Sequence, residues 1–484
     1  MKPSRTEIRL SDTAFPCRIV EPVPHQVVQR DERNEAVIPI KLELAGVLPA
    51  GSELCAEARF NGTNSVGPWT PLGPAENHAI TGVLANVPVG EHSVEIRIRS
   101  GTADSDDSRT AFGSVSPVFA GDLWILAGQS NMDGVGKLGE IQQPEAGISC
   151  FYLGDRWDVA TDPLCWLLES VDPVNREVSD AELAQAIVEQ RQFRQHGAGL
   201  GIPFAKEVRQ QVQVPIGLIV CSHSGTSMAH WDYRLADKGG DSFYGAMLRR
   251  INKLGGKVKG VLWYQGESDT GTVTAPLYYD AMVSWVAALR QDLNDPLLPF
   301  IYAQLSVFHV LEPDTRWPDP ALWNRVQDDQ LALEQAIAHS AMVPTIDAGL
   351  ADIIHLDTES LRIVGRRMAW QALRIAYGMQ VAEKGPRPAG FRWNEARTEL
   401  TIDLSGINGR LQEIGPLCGF RVEREKRRIP FAAELTEDRQ GIHLRFEQSV
   451  PADCQLSHGA GFNPVVNAKD AMGIPLAVFG PVSI

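Results

Sequence analysis

At 484 residues the chain exceeds one ordinary domain, and 44% hydrophobic with 22% charged residues is a globular composition. A formal net charge of -15 argues against a partner of nucleic-acid type, whose phosphates would be repelled, and no run approaches the roughly 18 apolar residues of a membrane-crossing helix. Seven dispersed cysteines without a Cys-x-x-Cys or a His-Glu-x-x-His point to free thiols, with neither a disulfide framework nor a zinc site. The N-terminus lacks the apolar stretch of a secretory signal. The expectation is a cytoplasmic protein, or a secreted or periplasmic one whose signal has been removed.

Residues 1–117 read as a β-sandwich-like domain. Alternating runs such as Val37–Leu44 and His92–Arg99 are separated by Gly, Pro and Asn clusters. Near residue 120 strands begin to alternate with helices. Strands are expected at Leu123–Ala127, Ile148–Leu153, Ile216–Cys221, Val258–Tyr264, Phe300–Leu305 and Ala341–Ile346, and helices at Phe204–Val212, Phe243–Leu254, Leu277–Leu293, Trp323–Ile337 and Thr358–Tyr377. Such alternation predicts a parallel sheet covered by helices on both faces, over residues 118–383. Lys384–Gly390 has a linker's composition, and residues 384–484 return to β alternation at Glu399–Leu404 and Gly441–Phe446.

Strand ends of one parallel sheet converge on one crevice, so residues far apart in sequence meet there. Four segments deliver chemistry to such ends. Gly128-Gln129-Ser130-Asn131 follows the first strand, and Ser222-His-Ser-Gly-Thr-Ser227 follows Ile216–Cys221. Gln265-Gly266-Glu267 follows Val258–Tyr264, and Asp352-Ile-Ile-His355 comes after Ala341–Ile346. Together they supply what acyl transfer requires: a nucleophile, a base, a group to orient the base, and donors for an oxyanion. A rival pattern, Gly134-Val-Gly-Lys-Leu-Gly139, spells a dinucleotide fingerprint. Six residues separate it from the strand, and the span after it is broken by Pro144 and Gly147, so the required strand–turn–helix is absent.

These blocks resemble the SGNH hydrolases, in the branch of sialic acid-specific O-acetylesterases and carbohydrate esterase family 6. Gly128–Met132 matches the family's Gly-Gln-Ser-Asn-Met. Ser224-Gly225-Thr226 with Trp231 approximates Gly-Gly-Thr before a tryptophan. Trp263–Glu267 matches the Gln-Gly-Glu block, and Asp352–His355 the Asp-x-x-His. The similarity covers about residues 118–378, and two positions depart from the pattern: Ser224 replaces a glycine and Leu356 a proline.

The resemblance implies a flavodoxin-like three-layer α/β/α core flanked by N- and C-terminal β-rich regions. It makes Ser130 the nucleophile, His355 the general base and Asp352 its orienter. The oxyanion hole would comprise the Ser130 N–H, the Gly225 N–H and the Gln265 amide. Gln129, Asn131, Trp231 and Glu267 are the candidate substrate contacts, with a structural role favoured for Glu267. Trp317 is a further candidate for stacking on a sugar, Trp263 belongs more naturally to the core, and His223 and His230 lie near the second block. The implied activity is removal of O-acetyl groups from a carbohydrate, either a sialic acid or a polysaccharide, with no metal or organic cofactor. The alternatives are a carbohydrate-binding protein with a vestigial hydrolase core, and an esterase or lipase for longer acyl chains.

Overall fold

The computed structural model describes residues 7–8, 17–44, 54–63, 65–100, 109–176, 178–310, 319–412 and 415–484. Its central sheet is built from β1 (Arg109–Gly128), β2 (Ile148–Tyr152), β3 (Arg156–Val159), β4 (Ile216–Val220), β5 (Gly260–Tyr264), β6 (Phe300–Ala303) and β7 (Ser340–Val343). These lie in the order β3-β2-β4-β1-β5-β6-β7. All neighbours are parallel except the β2–β3 hairpin at one edge. Without that hairpin, the strand succession across the sheet is second, first, third, fourth, fifth, which is the flavodoxin-like order.

The core strands carry almost no polar residues because both of their faces are covered. Every residue of β2, β4, β5, β6 and β7 is buried. The covering helices after the first crossover are α3 (Gly201–Val212), α4 (Phe243–Lys253), α5 (Tyr278–Asp292), α6 (Pro320–Ala336) and α7 (Thr358–Ala376). Helices α3 and α7 pack on each other, as do α5 and α6. Tyr244 of α4 meets Trp285 of α5 edge to face at 5.9 Å. Among the described residues no helix is long and apolar enough to cross a membrane.

The expected boundary at 117/118 falls inside a continuous strand. The first half of β1 pairs antiparallel with Gly90–Ser100 in the N-terminal region, and its second half pairs parallel with β4 and β5. The change of partner comes between Ala120 and Asp122, just beyond a register shift between Val115 and Val118. The N-terminal region has two sheets around its own core, in which Ile38, Leu42, Val94 and Ile96 are buried. The C-terminal region likewise encloses Leu400, Ile402, Val422, Ile442 and Leu456. It is tied to α6 through Asn324, which bonds the backbone of Gly459 and Gly461, and to β6's exit through Gln304, which bonds that of Val478.

The edge strand β3 and the helix α2 (Asp180–Phe193), inside the long β3–α3 connection, were not expected. Helix α2 has no buried residue, so it lacks the apolar stripe by which a helix is recognised in sequence. Its one legible signal is local. Ser179 and Glu182 stand in capping-box spacing and their side chains meet at 2.6 Å.

The same connection buries Asp162, whose carboxyl burial pushes up to about 7 despite a hydrogen bond from the Gly199 N–H. A raised folded-state value means the stabilising contribution is whole below the unfolded value near 3.8 and is lost as pH rises through about 7. Asp162→Asn keeps the acceptor and removes the charge. It is therefore expected to gain up to about 4 kcal/mol over wild type at pH 8 and nothing below pH ~4. Urea melts at pH 4, 6 and 8 check this; a gain that does not vary with pH rules the charge out as its cause.

Candidate active site

β1 ends at Gly128, with φ +131°, where a Cβ would lie 2.2 Å from the Tyr264 carbonyl oxygen. Only glycine lets the strand finish so close to its neighbour β5. The Gln129 N–H then donates to the Tyr264 carbonyl at 2.8 Å. One helical turn follows, α1 (Ser130–Asp133), closed by the Met132 and Asp133 N–H groups on the Gln129 carbonyl. Ser130 is thus the first residue of a turn, a position whose N–H has no partner within the helix. The turn fixes Ser130, which is 7% exposed.

Asp352 and His355 arrive on a loop that folds back on itself. Leu350 and Leu356 form a bridge, and the Ala351 N–H donates to the His355 carbonyl at 2.7 Å. Asp352 Oδ1 accepts the N–H groups of Ile354 and His355, each at 2.8 Å. Its Oδ2 lies 2.7 Å from His355 Nδ1, and His355 Nε2 lies 3.0 Å from Ser130 Oγ. These partners assign the imidazole proton to Nδ1 and leave Nε2 to accept from the serine. Burial alone would raise the Asp352 carboxyl, but the two N–H groups and the imidazole outweigh it and hold it below the usual carboxylate range.

Asn131 joins three segments. Its Oδ1 accepts the Leu356 N–H at 3.0 Å and its Nδ2 donates to Glu267 Oε1 at 2.8 Å. It fixes the serine turn to the histidine loop on one side and to the turn after β5 on the other. The histidine loop has a further support. The adjacent residues Phe308 and His309 donate in opposite directions, Phe308 N–H to the Phe462 carbonyl and His309 N–H to the Ile353 carbonyl, both at 2.7 Å. The segment at Phe308 and His309 thereby bridges the C-terminal region and the loop of Asp352 and His355.

Several expected substrate contacts are buried instead. Trp231 has no exposed surface and packs at 5.3 Å against Trp263, so it cannot stack on a sugar. Its indole N–H donates to Thr226 Oγ1 at 2.9 Å, which anchors the loop bearing Gly225. Asn131, Gln129 and Glu267 are 0%, 3% and 4% exposed, which places them behind the serine as braces. Burial raises the Glu267 carboxyl, opposed by the Asn131 bond. Trp263 lies in the core, while Trp317 falls outside the described residues. His223 is buried, 3.2 Å from Asn175, and exposed His230 bonds Ser227.

Gln265 also differs from its expected part. It is fully buried, and its Nε2 donates to Asp269 Oδ2 at 2.6 Å and to the Thr226 carbonyl at 3.0 Å. Those donors hold the second loop against the turn after β5. Among the described residues the N–H groups of Ser130 and Gly225 make no hydrogen bond, and Gly225 sits exposed with φ +72°.

Asp133 is the residue that the sequence reading missed. It is three positions after Ser130, one turn along the same face, and is 5% exposed. The Ser224 hydroxyl donates to its Oδ2, and the Cys165 thiol lies 3.6 Å from its Oδ1. Burial raises this carboxyl, and the serine hydroxyls at 222 and 224 oppose the rise. The Ser224 hydroxyl therefore ties the Gly225 loop to the turn that begins at Ser130. Ser224→Gly is expected to lower kcat for 4-nitrophenyl acetate by about 3–10-fold, the worth of one such bond in positioning. Steady-state kinetics check it, and an unchanged kcat would show that the loop is held without this contact.

The comparisons follow the same lines. A model of the family described as carbohydrate esterase, sialic acid-specific acetylesterase matches residues 120–374, a little over half of the chain. A probable carbohydrate esterase from Arabidopsis thaliana is 29% identical over 266 residues, 52% of this chain and 91% of that protein. The crystal structure of a carbohydrate acetylesterase from Xanthomonas citri superposes with a TM-score of 0.66 at 21% identity, over 94% of this chain and 97% of its own, which speaks for the fold. The chain belongs to the sialic acid-specific acetylesterase family of carbohydrate esterases.

Proposed function

We propose that this protein is a serine esterase that removes O-acetyl groups from carbohydrate through an acyl-enzyme. The observation that carries the reading is the unbroken series of contacts from Asp352 through His355 to Ser130 Oγ, beside two unengaged N–H groups. His355 Nε2 takes the serine proton as Oγ attacks the acetyl carbonyl. The developing oxyanion is met by the Ser130 and Gly225 N–H groups, donors already held in place and needing no reorganisation. The imidazolium, stabilised by Asp352, then protonates the departing sugar oxygen. Water, deprotonated by the same imidazole, releases acetate and restores the serine. No step calls for a metal or organic cofactor.

The substrate reading comes from the family: an acetylated carbohydrate, either a sialic acid or a polysaccharide. Hydrolysis of 4-nitrophenyl acetate, butyrate and octanoate, together with acetate release from acetylated xylan and from O-acetylated sialic acid, tests it. The expected result is a kcat/KM highest for acetate, with release from at least one saccharide. A preference for octanoate would favour the long-chain esterase, and inertness toward all five the vestigial binder.

A further inference from the structure

A cavity of about 240 Å³ opens between the end of the turn that begins at Ser130 and the loop that leads into Gly225. One wall is Asp133 and Ser224, on the two segments that carry Ser130 and Gly225. The opposite wall is the last turn of α2 and the residues after it, namely Gln190, Arg194 and His196, with Leu167 as an apolar side. We propose that this cavity is the subsite for the sugar ring that leaves as the alcohol, and that Gln190 and Arg194 are its specificity-determining residues. The inference rests on the esterase reading above and gives that site its second half.

Three observations support it. The first is size: the cavity lies just below the ~300–1,000 Å³ of ordinary ligand pockets, which suits one ring and exceeds the needs of an acetyl group. The second is the lining. Charged and amide groups face apolar Val135 and Leu167, an amphipathic surface suited to a pyranose with its C–H faces and hydroxyl rim. A long acyl chain would bury those polar groups without partners, which is unfavourable.

The third is the state of the polar groups themselves. Gln190 lines the cavity and its Oε1 has no hydrogen-bond partner among the described residues, so the amide keeps an acceptor that a side-chain rotation can offer to a hydroxyl donor. Arg194 is held rigidly, its Nε on the His196 carbonyl at 2.7 Å and its Nη1 on the Cys165 carbonyl at 2.6 Å, over the Trp166 ring. That leaves Nη2 to donate to a sugar oxygen, with little side-chain entropy left to lose on binding. The placement also accounts for α2. A helix that buries none of its own residues contributes little to the core, but its last turn supplies half of the cavity's polar wall.

The test compares a substrate with a sugar and one without: a mono-O-acetylated methyl pyranoside and 4-nitrophenyl acetate, with wild type, Arg194→Ala and Gln190→Ala. The ratio of kcat/KM for the pyranoside to that for 4-nitrophenyl acetate is expected to fall at least tenfold in each variant, carried by KM. Gln190→Ala guards against misfolding, because it lies on a helix with no buried residue, whereas Arg194 also ties two backbone segments. Circular dichroism confirms that each variant is folded. A ratio unchanged in folded Gln190→Ala overturns the subsite while leaving the esterase reading intact. A wild-type protein that cleaves 4-nitrophenyl acetate but no pyranoside acetate overturns the carbohydrate reading and the subsite together.

Discussion

Ser130→Ala is expected to lower kcat for 4-nitrophenyl acetate by at least about 10⁴-fold and to leave the protein folded. On the proposed mechanism Oγ is the atom that takes the acyl group, and among the described residues no other hydroxyl lies against His355 Nε2. What remains is attack by water assisted by the imidazole and the two N–H donors, which accounts for residual turnover above background. Stability should change by less than about 0.5 kcal/mol, because Oγ bonds only the exposed histidine loop and α1 is closed by backbone bonds. Acetate release at matched protein concentration, with thermal melts of both proteins, is the measurement. Equal activity would move the nucleophile elsewhere and withdraw the mechanism built on it.

Much of this site could be read from residue order, and the reason is topological. A parallel sheet gathers the C-terminal ends of its strands at one edge, so four short segments after four expected strands had to face one another. The strands themselves were legible because they are buried on both faces and read as unbroken apolar runs. The limits of the sequence reading lie in which way a side chain turns. Trp231 and Gln265 are where the blocks place them in the chain, yet both point into the protein, Trp231 among Trp263 and Phe243 and Gln265 onto Asp269. Spacing along a strand end does not distinguish a group facing the crevice from one bracing it from behind.

Asp133 shows the converse. Nothing in Ser130-Asn-Met-Asp133 marks the aspartate until Ser224, 91 residues away, is seen to bond it. Helix α2 escaped notice because amphipathicity is a record of burial, and α2 buries nothing. Both omissions border the same cavity, on the side of the site where the chain departs from the family's common blocks. Residues that perform the chemistry are fixed by the reaction and so recur as motifs. Those that would recognise the alcohol are set by one substrate's shape, and no general pattern announces them.

Asp352→Asn is expected to lower kcat at neutral pH by about 10²–10⁴-fold, and by more than Asp352→Ala does. Asp352 makes three contacts, and asparagine can reproduce only two of them. Its carbonyl oxygen can go on accepting the Ile354 and His355 N–H groups, so the loop keeps its shape. The amide nitrogen then takes the place of Oδ2, 2.7 Å from His355 Nδ1, where it donates instead of accepting. Nδ1 must lose its proton to receive that bond, the proton moves to Nε2, and the imidazole can no longer accept from Ser130. Alanine removes the orienting charge but imposes no tautomer, so a fraction of the rings stays competent. Asp352 is half exposed, with 52% of its side chain accessible, so the loss of charge itself is softened by solvent and the tautomer carries most of the difference. Kinetics of both variants, with ¹⁵N shifts of the His355 ring to report which nitrogen holds the proton, separate the two effects. An Asn variant more active than the Ala variant, or one whose ring keeps its proton on Nδ1, would show that Asp352 acts through its charge alone.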